Sequence, residues 1–123
     1  MIYDKLAKEL ERIEGIECVY ADEMAPEDAR CPYIQMGYER DYAGIYKKEI
    51  TGDRLLIIDA WSDRVDKRSE MENIISNICI ICSCLKIDGH NVALKSFDSK
   101  IMIDTTTNTP YLHGSVSVVF LYS

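Results

Sequence analysis

Along the first fifteen residues Ile2, Leu6, Leu10 and Ile13 recur at helical spacing with lysine and glutamate between them, and Gly15 follows where a C-terminal cap belongs. The spacing predicts a first helix over residues 1–15. The apolar run IECVY at 16–20 is a candidate strand, and ADEMAPEDARC at 21–31 is an acidic, exposed loop around Pro26. Pro32 opens PYIQMGYE, in which Ile34, Met36 and Tyr38 alternate with Gln35 and Gly37 at the period of a strand with one buried face. Residues 39–53, ERDYAGIYKKEITGD, exceed what a tight turn needs and predict a long hairpin arm. In RLLIIDAWSD the unbroken Leu-Leu-Ile-Ile run at 55–58 predicts a strand covered on both faces, either central in its sheet or meeting another subunit.

The segment SDRVDKRSEMENIISNICIICSCLK offers Ser62 or Asp63 as an N-cap, acidic residues early and Lys86 at its end. It predicts a second helix from about 65 to 85. Gly89 and Asn91 mark a turn, after which VALKSF through IMIDT and YLHGSVSVVFLY read as two strands joined by the polar TTTNTP loop. The order helix, strand, strand, arm, strand, helix, strand, strand implies one α+β domain over 1–123. Its expected form is a mainly antiparallel sheet of about four to five strands with both helices packed on one face, because each helix has one apolar stripe. Tyr33, Trp61 and Leu121 then leave the other face partly apolar with no helix to cover it. Association with another copy is the simplest cover.

Composition narrows the function. A chain of 123 residues with 47% hydrophobic and 28% charged content can bury a core without disulfide or metal staples. No apolar run approaches the roughly 20 residues of a membrane span, and the amphipathic N-terminal segment has no apolar signal core. The expectation is a cytosolic protein without a membrane partner, in which the five cysteines are free thiols. A net charge of -7 opposes adhesion to phosphate backbones, and only Lys47-Lys48 and Lys67-Arg68 are locally basic.

Candidate chemistry is sparse. Cys79, Cys82 and Cys84 fall within six positions and suggest a metal or redox site. At about 100° per helical residue, however, Met71, Ile74, Ile75, Ile78, Cys82 and Leu85 form one stripe, with Cys79 at its edge and Cys84 roughly 160° from Cys82. The thiols cannot converge on one ion, so they read as packing residues. Ile80 and Cys84 share the opposite face with Asn73, Ser76, Asn77 and Ser83, which is less charged than a solvated face and suits a neighbouring subunit. Asp98, His113 and Ser115 could assemble a hydrolytic triad, but His113 and Ser115 are next-but-one on a strand without a nucleophile elbow, so a polar sheet face is expected. Asp59, Asp63 and Asp66 could hold a divalent cation for a nuclease. A carboxylate at Asp66 in a first helical turn meets the helix dipole without any metal. No phosphate-binding glycine loop occurs, and no catalytic, metal or cofactor site is expected.

From residue 31 onward the chain resembles the tail-terminator, or tail-completion, proteins of long-tailed bacteriophages. The resemblance rests on the order of its elements: an acidic loop, the strand with Pro32, Tyr33, Ile34 and Gly37, a long charged arm, a strand ending in Trp61-Ser62, a helix with Glu72, Ile75 and Cys79, and two closing strands. The chain departs from it in carrying Asp63-Arg64-Val65-Asp66 where a glycine-arginine step is common, and cysteine at 79.

The resemblance implies a non-enzymatic virion protein at the tail–head junction, assembled from the host cytoplasm as a hexameric ring. Such a ring would cap the tail tube protein, end its polymerisation and face the head connector protein. DNA would pass through it without specific binding, which the negative charge suits. Tyr42 and Tyr46 on the arm, Trp61 at the strand end, and Ile80 and Cys84 on the helix back are the expected interface residues. A head–tail adaptor is the nearest alternative of the same class, and a small metal-dependent phage nuclease using Asp59 and Asp63 is the alternative from another class.

Overall fold

The computed structural model describes residues 2–37, 40–41 and 52–123. Its elements are α1 (Ile2–Leu10), β1 (Cys18–Tyr20), β2 (Tyr33–Met36), β3 (Arg40–Asp41), β4 (Gly52–Ser62), α2 (Arg68–Ser83), β5 (Val92–Asp104) and β6 (Tyr111–Tyr122). The sheet runs β1-β2-β4-β6-β5, with the two-residue β3 also paired to β4. Among the described residues only β1 against β2 is parallel, and the remaining pairings are antiparallel. The α+β expectation, helices on one side of a mainly antiparallel sheet, therefore describes the molecule.

Strand alternation decides which residues meet the helices. Ile34 and Met36 of β2, Leu56, Ile58 and Ala60 of β4, and Leu112, Val116, Val118 and Phe120 of β6 share one face and are buried. Against them pack Ile2, Leu6 and Leu10 of α1 and Met71, Ile74, Ile75, Ile78 and Cys82 of α2, forming a single core. Gly114 belongs to this face for a steric reason: a Cβ there would lie 2.7 Å from Met71 Sδ and 3.1 Å from Ile75 Cδ1. Its missing side chain lets α2 approach the centre of the sheet.

Several boundaries differ from the sequence expectation. Helix α1 stops at Leu10, and single turns through Arg12 and Ile13 tighten the chain before Gly15, whose φ of +92° ends the run beyond the helix rather than capping it. Helix α2 is shorter than 65–85. Ser62 is the last residue of β4, buried, and its Oγ accepts from the Arg64 amide at 3.1 Å, so it caps the turn after the strand and not the helix. The N-cap position is Lys67, without a side-chain bond, which leaves Asp66 before the first turn and Lys86 beyond the last. The pairs Arg40 with Leu55 and Asp41 with Arg54, and the start of β4 at Gly52, take residues 40–41 and 52–53 of the expected arm into the sheet.

Strand β5 contains a shift the sequence reading did not use. A bulge between Leu94 and Ser96 reverses the phase of the strand, so that Val92 and Leu94 before it and Phe97 and Ile101 after it all turn to the helix side. The extra residue, Lys95, reaches Asp53 with Nζ 2.7 Å from Oδ2.

The central stripe of α2 predicts unequal mutational costs. Ile78→Ala, at a fully buried position, is expected to destabilise by about 2–5 kcal/mol. Ile80→Ala, 61% exposed two residues away, is expected to change stability by no more than about 0.5 kcal/mol. Urea unfolding of the two variants checks the helix phase.

Candidate functional site

The face of the sheet turned away from the helices has no helix over it among the described residues. Leu55 and Ile57 of β4 are half-buried there, so the Leu-Leu-Ile-Ile run is central in its sheet but covered by helices on one side only. At the end of this face the registers Tyr33 to Trp61, Trp61 to His113 and His113 to Met102 place one row of large side chains across four strands. The indole of Trp61 stacks on the His113 imidazole, centroids 3.9 Å apart and planes 4° from parallel. Tyr111 meets Trp61 edge-on at 6.4 Å, and Tyr20 meets Tyr33 edge-on at 5.6 Å. His113 Nε2 lies 2.8 Å from Asp59 Oδ1, so with its proton on Nε2 the imidazole donates to that carboxylate while its ring faces the indole.

The acidic loop is drawn toward this end by Gln35. Its Oε1 accepts from the Ala25 amide at 2.7 Å, and its Nε2 donates to the carbonyls of Glu23 at 2.9 Å and Tyr20 at 3.2 Å. One amide thus ties the loop to the strand beneath it. Between residues 25–27 of this loop and residues 106–109 of the β5–β6 connection lies an open cavity of about 540 Å³, floored by Tyr33, Trp61 and Tyr111. Burial pushes the Tyr33 phenol above its ordinary range, with Cys31, Tyr111 and Tyr20 adding to the shift. Asp104, at the rim, is held below the usual carboxylate range because its Oδ1 accepts from the Thr106 hydroxyl at 2.6 Å and amide at 2.9 Å.

The suggested catalytic groupings do not form. His113 pairs with Asp59, while Asp98 lies opposite Ser117, four residues along β6 from His113 and therefore roughly 13 Å away. Asp59 and Asp63 are also separated: Ser62 alone is roughly 10 Å along the strand from Asp59. Asp63 instead lies beside Cys31, whose thiol is raised first by burial and then by that carboxylate. Among the described residues no three His, Cys, Asp or Glu side chains gather as an ion site.

Of the expected interface residues, Trp61 is half-buried at the cavity floor, while Ile80 and Cys84 are exposed on the helix back. That back borders a shallow depression shared with Lys5 and Glu9 of α1, far from Trp61 on the sheet's opposite side. Tyr42 and Tyr46 lie outside the described residues. The sequence reading missed the Asp59–His113 pair, the clamp by Gln35, and Tyr111. Their signal was the two-residue spacing of Asp59 with Trp61 and of Tyr111 with His113, which puts all four on one face once β4 and β6 are neighbours. The chain matches no protein-family model and no curated protein.

His113→Ala removes both the ring stacked on Trp61 and the partner of Asp59. A loss of about 1–3 kcal/mol is expected, with a red shift of Trp61 emission in the folded state. The thiols, in turn, should differ in reactivity. Burial pushes Cys82 up to about 12, with Cys79 contributing, whereas Cys18 and Cys84 are exposed. Alkylation should reach Cys18 and Cys84 in the native protein and Cys82 only after unfolding. The raised pKa favours the fold while the thiol is protonated in both states, and this contribution is lost as pH rises from about 9 toward about 12. Alkaline unfolding of Cys82→Ala should accordingly show a weaker pH dependence than that of the parent.

Proposed function

We propose that this chain is a structural, non-enzymatic virion assembly protein: a ring subunit that caps the tail tube of a long-tailed bacteriophage, ends its polymerisation and joins the tail to the head connector. The observation that carries the reading is the sheet face that has no helix over it among the described residues, on which the half-buried Leu55 and Ile57 and the half-exposed Leu121 lie beside the aromatic row. Covering such a face with a second copy would bury apolar surface that, among the described residues, no helix covers.

The helix back supports the same reading from the other side of the molecule. Ile80 is 61% exposed among asparagine and serine neighbours, a surface able to pack without first losing strongly hydrated charges. Two separate contact surfaces on opposite sides of one subunit suit a head-to-tail ring, in which each copy offers different surfaces to its two neighbours. The net charge of -7 suits a channel through which DNA passes without adhering. The ring would act at the tail–head junction of the virion after assembly in the host cytoplasm, with the tube protein on one face and the connector protein on the other.

Purified protein is expected to form rings, alone or on the ends of tail tubes, visible by negative-stain imaging and light scattering. Leu121→Asp should leave monomer stability within about 0.5 kcal/mol and abolish ring formation. A chain that stays monomeric at high concentration and neither decorates nor shortens polymerising tubes refutes the assignment.

A further inference from the structure

The cavity between residues 25–27 and 106–109 combines two kinds of surface. Its floor is aromatic, from Tyr33, Trp61 and Tyr111, and its opposite rims carry the carboxylates of Glu27 and Asp104. We propose that this cleft binds an arginine side chain presented by a basic segment of a partner protein.

The geometry favours a flat cation. His113 covers one face of Trp61, and because it lies on β6, the other face of the indole is turned toward β2, where Tyr33 and the 25–27 segment form the opposite wall. An indole face attracts a cation through its quadrupole, and a guanidinium can lie flat against it while donating in its own plane. Asp104 supplies an acceptor in that setting: both bonds from Thr106 end on Oδ1, which leaves Oδ2 for a further donor. Those bonds also keep the carboxylate ionised. A neutral aromatic or aliphatic ligand would use the floor but leave both rim charges without a counter-charge. At about 540 Å³ the space lies within the roughly 300–1,000 Å³ typical of specific sites.

The charge balance points to a different protein as the donor. A chain with net charge -7 attracts a basic segment at long range. Three of the chain's own arginines already face carboxylates of their own subunit: Arg12 with Glu9 at 3.9 Å, Arg64 with Glu70 at 3.4 Å and Arg68 with Glu72 at 3.7 Å. The proposal deepens the assembly reading and takes from it only that Trp61 meets a partner.

The test uses the full chain and the peptide acetyl-Gly-Gly-Arg-Gly-Gly-amide, followed by the emission of Trp61, the only tryptophan in the sequence. A saturable change is expected, weakening as salt is raised from about 0.05 to about 0.5 M. The citrulline peptide, neutral but of the same shape, should bind about fivefold more weakly or worse. Asp104→Asn and Glu27→Gln should each weaken the arginine peptide about threefold or more, Glu27→Gln without moving the unfolding midpoint. Absence of a saturable change, equal binding of the citrulline peptide, or parental affinity in both variants overturns the proposal. Light scattering of the same samples without peptide follows ring formation separately, so rings without peptide binding reject the cleft alone, and peptide binding without rings rejects the ring alone.

Discussion

The seating of α2 on β6 through Gly114 sets the rest of the molecule. With any side chain at that position the Met71 thioether would have to move aside and Ile75 Cδ1 to give way, so the close seating of the helix over the middle of the sheet depends on the missing Cβ. Because α2 sits there, its apolar stripe from Met71 to Leu85 reaches the central strands, and α1 fills the remaining space with Ile2, Leu6 and Leu10. Both helices are consumed by one side of the sheet. Among the described residues no helix covers the opposite side, so a packing event in the core determines which face of the sheet carries the aromatic row.

That surface is organised rather than merely exposed. Its aromatic row is held by cross-strand neighbours: β4 supplies Trp61 and Asp59, β6 supplies His113 and Tyr111, and β2 supplies Tyr33 and Gln35. Rigid strands place these groups more closely than loops could. Of the two loops at the cleft, residues 21–31 are fastened by the Gln35 amide and by the Asp22 amide donating to the Tyr3 hydroxyl at 3.0 Å. The second of these bonds links the loop to α1, so the loop beside the aromatic cleft is tied both to the sheet and to the helical layer.

Much of this was legible in the sequence wherever one period ran long enough. The α2 stripe was read residue by residue, including Cys82 inside, Cys79 at the margin and Cys84 outside, because helical phase alone decides it. Helix ends were less legible, since Ser62 is a good capping residue in either setting and only the length of β4 reveals that it closes a strand. The aromatic cleft was out of reach for another reason: it needs the knowledge that β2, β4 and β6 are neighbours, and strand order is a long-range property. Trp61 was singled out as a contact residue, but Tyr111 and Asp104 join it only through pairing across the β5–β6 connection.

The bulge at Lys95 carries a consequence for how such a sheet behaves in company. Strand β5 lies at the end of the strand order, where a long straight ladder of unpaired amides and carbonyls would template further strands without limit. A kink in that ladder and a charged lysine at the kink interrupt it, and at the other end β1 is only three residues long. Edge-to-edge growth into fibres is discouraged at both borders of the sheet.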